Sequence, residues 1–223
     1  MILFDNDIVK LVVSVEFDLV VWYNQLMDNI EELKNFAREK GFPIIKDTGL
    51  NKLLEVVRSA NPKRILEIGT AVGYSGSLML FNSEAILDTL EKNVESAHLA
   101  EANFKDLGLC ERVRVLIGDA DKLIDTLRSQ KYDLIFLDGP KGQYINYYDR
   151  LINMLGSGGV LVADNVLFRG YVRGGNEPRR YRSLVRHLRE FNDAIMNDAR
   201  VDTIIYDVGD GVSVSRKKED RIC

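Results

Sequence analysis

The chain has little of what soft-metal and histidine chemistry needs. Its 223 residues include two cysteines, Cys110 and Cys223, and two histidines, His98 and His187. Cysteines so far apart give no disulfide framework and fit a reducing, cytoplasmic compartment. None of the four has metal-ligand company nearby in sequence, so neither a zinc site nor a histidine-centred triad is expected. No basic segment opens the chain, and no secretory signal is expected. A long uninterrupted apolar run is also missing. Ile8–Leu26 is apolar-rich, but Lys10, Glu16 and Asp18 interrupt it, which argues against a membrane span. The stretch reads as a helix packed on the domain or on a second subunit, and it makes a homodimer the expected assembly. A net charge of −4 rules out a polycation, while 46% apolar and 29% charged residues fit one ordinary α/β domain.

Residues 1–60 read as N-terminal helices packed on a core, broken near Gly41-Phe42-Pro43. In the core, 61–223, strand candidates at 64–68, 85–90, 112–117, 133–137 and 159–163 alternate with helical stretches at 74–82, 94–107, 120–129 and 143–154. Such a βαβ series predicts a parallel sheet with right-handed crossovers. Another helix is expected over roughly 178–195. Two β runs, Val201–Tyr206 and Val212–Ser215, then flank Val208-Gly-Asp-Gly211 and read as a hairpin. The predicted fold is α/β, with a seven-stranded, mostly parallel sheet closed by an antiparallel hairpin strand and helices on both faces.

Leu66-Glu67-Ile68-Gly69-Thr-Ala-Val-Gly73-Tyr74-Ser75 runs from an apolar strand through two glycines into a helix. Glycine lets backbone approach a ligand closely. The spacing is Glu-x-Gly-x-x-x-Gly rather than the dinucleotide pattern. Glu91 ends the next strand, where an acid that binds ribose hydroxyls falls, and Asp119-Ala120 follow the third strand, where they would frame an adenine. The alternative for the glycine turn is an ordinary tight strand–helix connection.

Two further apolar runs end in acids: Tyr132-Asp-Leu-Ile-Phe-Leu-Asp138 and Gly158-Gly-Val-Leu-Val-Ala-Asp164-Asn165. Ligands bind at the carboxyl edge of open α/β sheets. Strand tips about 4.8 Å apart allow two aspartates to share an ion, and hard oxygen donors suit Mg²⁺ or Mn²⁺. Asp164 and Asn165 serve one ion together only if the strand has already turned there. Lys141, three residues past Asp138, would lean over the same site. The alternative for each aspartate is an N-cap of the following helix.

Three separated motifs agree in order and spacing with one family. Glu67-Ile-Gly69-x-x-x-Gly73-Tyr-Ser75, Leu137-Asp138-x-x-Lys141-x-x-Tyr144 and Ala163-Asp164-Asn165-Val166-Leu167-Phe168-x-Gly170 resemble the divalent-cation-dependent O-methyltransferases of the catechol and caffeoyl-CoA type. The resemblance covers residues 44–217, including Val208-Gly-Asp-Gly211. It implies a Rossmann-like methyltransferase fold. It implies S-adenosylmethionine (SAM) at Ile45, Glu67, Gly69, Thr70, Gly73, Tyr74, Ser75, Glu91, Asp119, Ala120 and Asp138. It also implies the ion at Asp138, Asp164 and Asn165, with Lys141 as the catalytic group beside the acceptor oxygen. Gly139-Pro140 departs from the bulky wall of the catechol enzymes.

The acceptor should carry vicinal oxygens, as a catechol or a 5-hydroxyuridine does. Between Val166 and Glu190 lie seven arginines and two acids. Arg179, Arg182, Arg186 and Arg189 fall at helical offsets 0, 3, 7 and 10, with Arg169 and Arg173 upstream. Such a stripe beside the site matches a phosphate backbone; the alternative is a solvated helix face. Lys141-Gly-Gln-Tyr144 and Asn165-Val-Leu-Phe-Arg-Gly170 are similar to the bacterial tRNA 5-hydroxyuridine methyltransferases of the same family. That likeness implies tRNA as partner and 5-methoxyuridine at the wobble position as product; a small phenolic acceptor is the other reading. From other classes, a nicotinamide dehydrogenase would bind nicotinamide but not SAM, and an interaction protein would show no methyl transfer.

Overall fold

The computed structural model describes residues 24, 25 and 27–219. Cys223 and most of the apolar stretch Ile8–Leu26 lie outside the described residues. The chain divides into two compact units at Phe42–Pro43. In the first, residues 27–39 are helical (α1), and the Phe36 and Phe42 rings stack at 6.0 Å.

The second unit carries α2 (Asp47–Ala60), β1 (Arg64–Ile68), α3 (Tyr74–Phe81), β2 (Ile86–Glu91), α4 (Val94–Asp106), β3 (Val113–Ile117) and α5 (Ala120–Leu127). It continues with β4 (Tyr132–Leu137), α6 (Tyr144–Met154), β5 (Leu155–Ala163), α7 (Tyr171–Gly174), α8 (Arg182–Asn197), β6 (Val201–Tyr206) and β7 (Val212–Lys217). The seven strands form one sheet in the order β3-β2-β1-β4-β5-β7-β6. The first five are parallel, and β7 runs antiparallel to both β5 and β6. The hairpin thus inserts its second strand beside β5 and leaves β6 at the edge. Leu134–Leu137 and Val160–Ala163 are buried without alternation, as expected of strands covered on both faces.

The strand order reverses between β1 and β4, and this switch point positions the site. Pairing continues one residue past the strand ends. Gly69 N donates to Leu90 O (3.0 Å), Asp138 N to Ile68 O (3.0 Å) and Asp164 N to Leu137 O (3.1 Å). These bonds set Gly69, Asp138 and Asp164 along one edge.

Helix α8 buries Val185, Leu188, Phe191 and Ile195. Phe191 meets the Tyr144 and Tyr148 rings edge-on at 5.4 and 5.8 Å. Each of these apolar side chains contributes about 1.5–3 kcal/mol through burial, enough to fix the helix while its other face stays in water. The helix begins at Arg182, later than expected, because Pro178 is extended and Arg179–Tyr181 make a 3-10 turn. Arg179 therefore lies outside the α-helix, and its expected place at offset zero of the arginine stripe does not hold. No helix among the described residues is long and apolar enough to cross a membrane.

Candidate active site

A cavity of about 700 Å³ opens at the switch point, within the range of small-molecule and cofactor sites. Its walls come from the segment before α2 and from the tips of β1 to β4. Ile45, Gly69, Thr70, Tyr74, Ser75, Glu91, Asp119, Ala120, Asp138 and Lys141 all line it. Glu67 and Gly73 do not line it. The sequence reading missed Pro43, Ile44, Gln143 and Tyr147, which also contribute to the wall.

Glu67 sits behind Ser75, fully buried. Its Oε1 accepts from Ser75 Oγ (2.5 Å) and its Oε2 from Thr89 Oγ1 (2.7 Å), while the Thr89 and Thr70 hydroxyls lie 2.6 Å apart. The carboxylate braces β1, β2 and α3. Burial pushes its acid up to about 7, against the pull of the two hydroxyl donors. The folded protein thus binds a proton that the unfolded chain has already released, and stability should fall as pH rises from the ordinary glutamate range to about 7. Glu67→Gln should flatten this slope and raise stability above pH 8 by about 2 kcal/mol. Urea melts of both proteins between pH 5 and 8.5 check it, and parallel profiles would refute it.

Two glycines have a protein cause as well as any ligand cause. A Cβ on Gly69 (φ +103°) would lie 2.5 Å from the Asp138 carbonyl oxygen, and one on Gly73 (φ +83°) 2.9 Å from the Phe104 ring. Glu91 accepts from Ala71 N (2.9 Å) and Asn93 N (2.8 Å), one on each oxygen; the remaining lone pairs keep acceptor capacity for hydroxyls. Asp119 caps α5 by accepting from Asp121 N (3.0 Å) and pairs with Lys92 at 2.8 Å.

At the neighbouring tips, Asp138 lies 3.2 Å from Lys141 Nζ. Asp164 is 2% exposed and accepts from Asn165 N at 2.7 Å. Neither aspartate caps a helix: α6 starts at Tyr144 without a side-chain cap, and α7 starts after Gly170. Asn165 has φ +59°, so the chain has turned directly after β5, the condition for the two residues to face one ligand. Burial raises both carboxyl pKa values. The Asp138 charge raises Asp164 further, and Lys141 opposes the shift in both. Tyr144, buried and absent from the expected site, places its hydroxyl 3.1 Å from Leu137 O and 3.3 Å from Asp164 O, between the tips of β4 and β5. Among the described residues no three or more His, Cys, Asp or Glu side chains cluster as metal ligands; the donors at this edge are two carboxylates and an amide.

The arginines divide into two groups. Arg189 is committed to structure: it donates to Val172 O (3.0 Å) and Tyr171 O (2.9 Å) and pairs with Glu177 at 3.2 Å. Arg173 pairs with Asp207 at 2.6 Å and Arg186 with Glu190 at 3.7 Å, both exposed. Arg169 lies over the Phe168 and Tyr181 rings, and Arg180 over Tyr181. Arg179 and Arg182 are exposed and make no ion pair among the described residues.

A switch-point crevice walled by a glycine turn, Glu91 and Asp138, with Asp164 at the next strand tip, has the form of a nucleotide-cofactor site on a Rossmann-like sheet. Residues 24–218 match the O-methyltransferase family model. Caffeoyl-CoA O-methyltransferase 1 of Arabidopsis thaliana is 30% identical over 211 residues, covering 87% of this chain and 80% of that protein. An O-methyltransferase from Bacillus cereus, solved with S-adenosylhomocysteine (SAH), is 25% identical with a TM-score of 0.77, covering 86% of this chain and 91% of that one. An SAH-bound methyltransferase from Podospora anserina is also 25% identical, with a TM-score of 0.74 and coverage of 98% and 99%. The chain belongs to the O-methyltransferase family and is a SAM-dependent enzyme of the caffeoyl-CoA type.

Proposed function

We propose that the enzyme methylates a hydroxyl flanked by a second oxygen, using a divalent cation held by Asp138, Asp164 and Asn165, and that the acceptor is 5-hydroxyuridine in tRNA. The observation that carries the metal reading is the left-handed turn at Asn165 directly beside the buried Asp164 and the half-buried Asp138, for which Lys141 is the one ion-pair partner among the described residues. Two charges of one sign buried together are costly unless a cation joins them, and all three donors are hard oxygens. When bound, Mg²⁺ or Mn²⁺ would acidify and orient the acceptor hydroxyl. The chain's own residues do the rest. Ile45, Thr70, Ser75 and Glu91 hold SAM in the cavity. Asp138 joins the cofactor wall to the acceptor edge. Lys141 Nζ would take the acceptor proton as the neutral amine, or stabilise the developing oxyanion as the ammonium. Holding methyl donor and oxygen in line supplies much of the remaining acceleration.

The basic rim favours a polyanionic acceptor. Arg169, Arg173, Arg179, Arg182 and Arg186 are exposed on the chain segment that follows Asn165, Arg169 lies over the Phe168 and Tyr181 rings, and arginine beside aromatic rings suits phosphates and bases together. A small phenolic acceptor is the second reading, favoured by a relative named for caffeoyl-CoA. One experiment separates them: the enzyme is given labelled SAM with Mg²⁺ or EDTA, and either tRNA lacking the terminal methyl or a panel of catechols. Label in tRNA that EDTA abolishes supports the proposal; label only in catechols transfers it to the second reading. Reversing Arg182 and Arg186 to Glu should weaken tRNA binding and reduce its salt slope by about 1 per residue, with SAH affinity unchanged. Unaltered tRNA binding would count against the basic rim.

A further inference from the structure

We propose that Lys46 and Asp210 are positioning residues that fasten the cofactor-side wall to the loop bearing Asp164 and Asn165, so that filling the cavity steadies that loop. The proposal rests on SAM occupying the cavity described above. Pro43, Ile44 and Ile45 line the cavity, and Lys46 follows them directly, at the start of α2. Lys46 Nζ lies 2.8 Å from Asp210 Oδ2; the lysine side chain is 60% exposed and the aspartate 18%. The far side of Asp210 holds the other loop. Its carbonyl accepts from Leu167 N (2.8 Å) and Phe168 N (3.1 Å), and the Gly211 carbonyl accepts from Val166 N (3.0 Å).

The amides of Val166 and Leu167 therefore hang on residues 211 and 210, and Phe168 N is shared between Asp210 O and Asn165 O, both at 3.1 Å. They need that hold. Asn165, Phe168 and Arg169 have φ of +59°, +33° and +55°, and non-glycine residues in this region persist only when surrounding structure fixes them. Close approaches join the same three segments at two more points. A Cβ on Gly209 would lie 3.3 Å from Thr48 Oγ1, and one on Gly49 3.4 Å from Asp164 Oδ1. The ion pair is a charged tie between the cavity wall and this junction. It is too exposed to hold the fold by itself, which suits it to transmit order rather than to supply stability.

Hydrogen exchange with SAH as the probe tests this without metal or acceptor. In the wild type, SAH should slow exchange at Val166, Leu167 and Phe168 by about five- to tenfold. In Lys46→Met the slowing should shrink to less than about twofold, while SAH still protects Ala71 in the glycine turn. Lys46→Arg should restore the wild-type response, and Asp210→Asn, which keeps the carbonyl, should behave as Lys46→Met. No response at 166–168 in the wild type, or an equal response in Lys46→Met, overturns the proposal. Loss of protection at Ala71 in every protein would instead strike at cofactor binding in the cavity.

Discussion

Alanine at Asp164 is expected to lower methyl transfer by about a thousandfold or more while SAH affinity stays within about threefold of wild type. Asp164 is 2% exposed and lies outside the cavity walls, so its removal takes nothing from the cofactor. It does take one of the two carboxylates at the acceptor edge. A thousandfold loss corresponds to about 4 kcal/mol of transition-state stabilisation, a reasonable share for the group that fixes a cation against the developing oxyanion. Misfolding would not mimic this result. Burial and the Asp138 charge disfavour the ionised carboxylate, which offsets the lost Asn165 N hydrogen bond (2.7 Å), and a thermal melt of the variant shows whether the fold is kept. Asp138→Ala is the contrast. Asp138 lines the cavity and contacts Lys141, and its loss should impair SAH binding and turnover together. Initial rates at saturating SAM, with SAH calorimetry on both variants, decide the matter. Near-normal turnover in Asp164→Ala would remove the cation site.

The acidic tips were legible in the sequence because two apolar runs, Leu134–Leu137 and Val160–Ala163, each stop at an aspartate, the pattern of a strand buried on both faces. The hairpin was legible from two β runs around Val208-Gly-Asp-Gly211. What escaped depends on atoms distant in the chain. Gly69 answers to the Asp138 carbonyl and Gly73 to the Phe104 ring, neither visible from the glycine spacing. Glu67 belongs to a strand whose neighbours Leu66 and Ile68 are buried too, so nothing local shows that its carboxylate turns to Ser75 and Thr89 rather than to the cavity. Arg189 has the same helical spacing as its neighbours, yet Glu177 and two carbonyls of the 171–172 turn claim it. Periodicity gives the face of a helix, not the partner waiting there.

Gly69→Ala should be the most damaging single-methyl change at the site, costing about 3 kcal/mol or more and weakening SAH binding at least about thirtyfold. The new Cβ would lie 2.5 Å from Asp138 O, 2.9 Å from Asp138 C and 3.1 Å from the Gly139 Cα. All three are backbone atoms, so no side chain can swing aside. Relief requires the tips of β1 and β4 to part, which strains the Asp138 N to Ile68 O bond (3.0 Å) and moves Asp138 within the cavity wall. A φ of +103° adds conformational strain. Gly170→Ala separates the two costs. Gly170 also has positive φ (+76°) but nothing within 4 Å of a built Cβ, so it should cost only the backbone term of about 1–2 kcal/mol. Urea melts of the two variants give the difference directly, and calorimetry with SAH shows whether the crevice has changed shape. If Gly69→Ala proves no worse than Gly170→Ala, the close approach of the two strand tips is not what holds glycine at position 69.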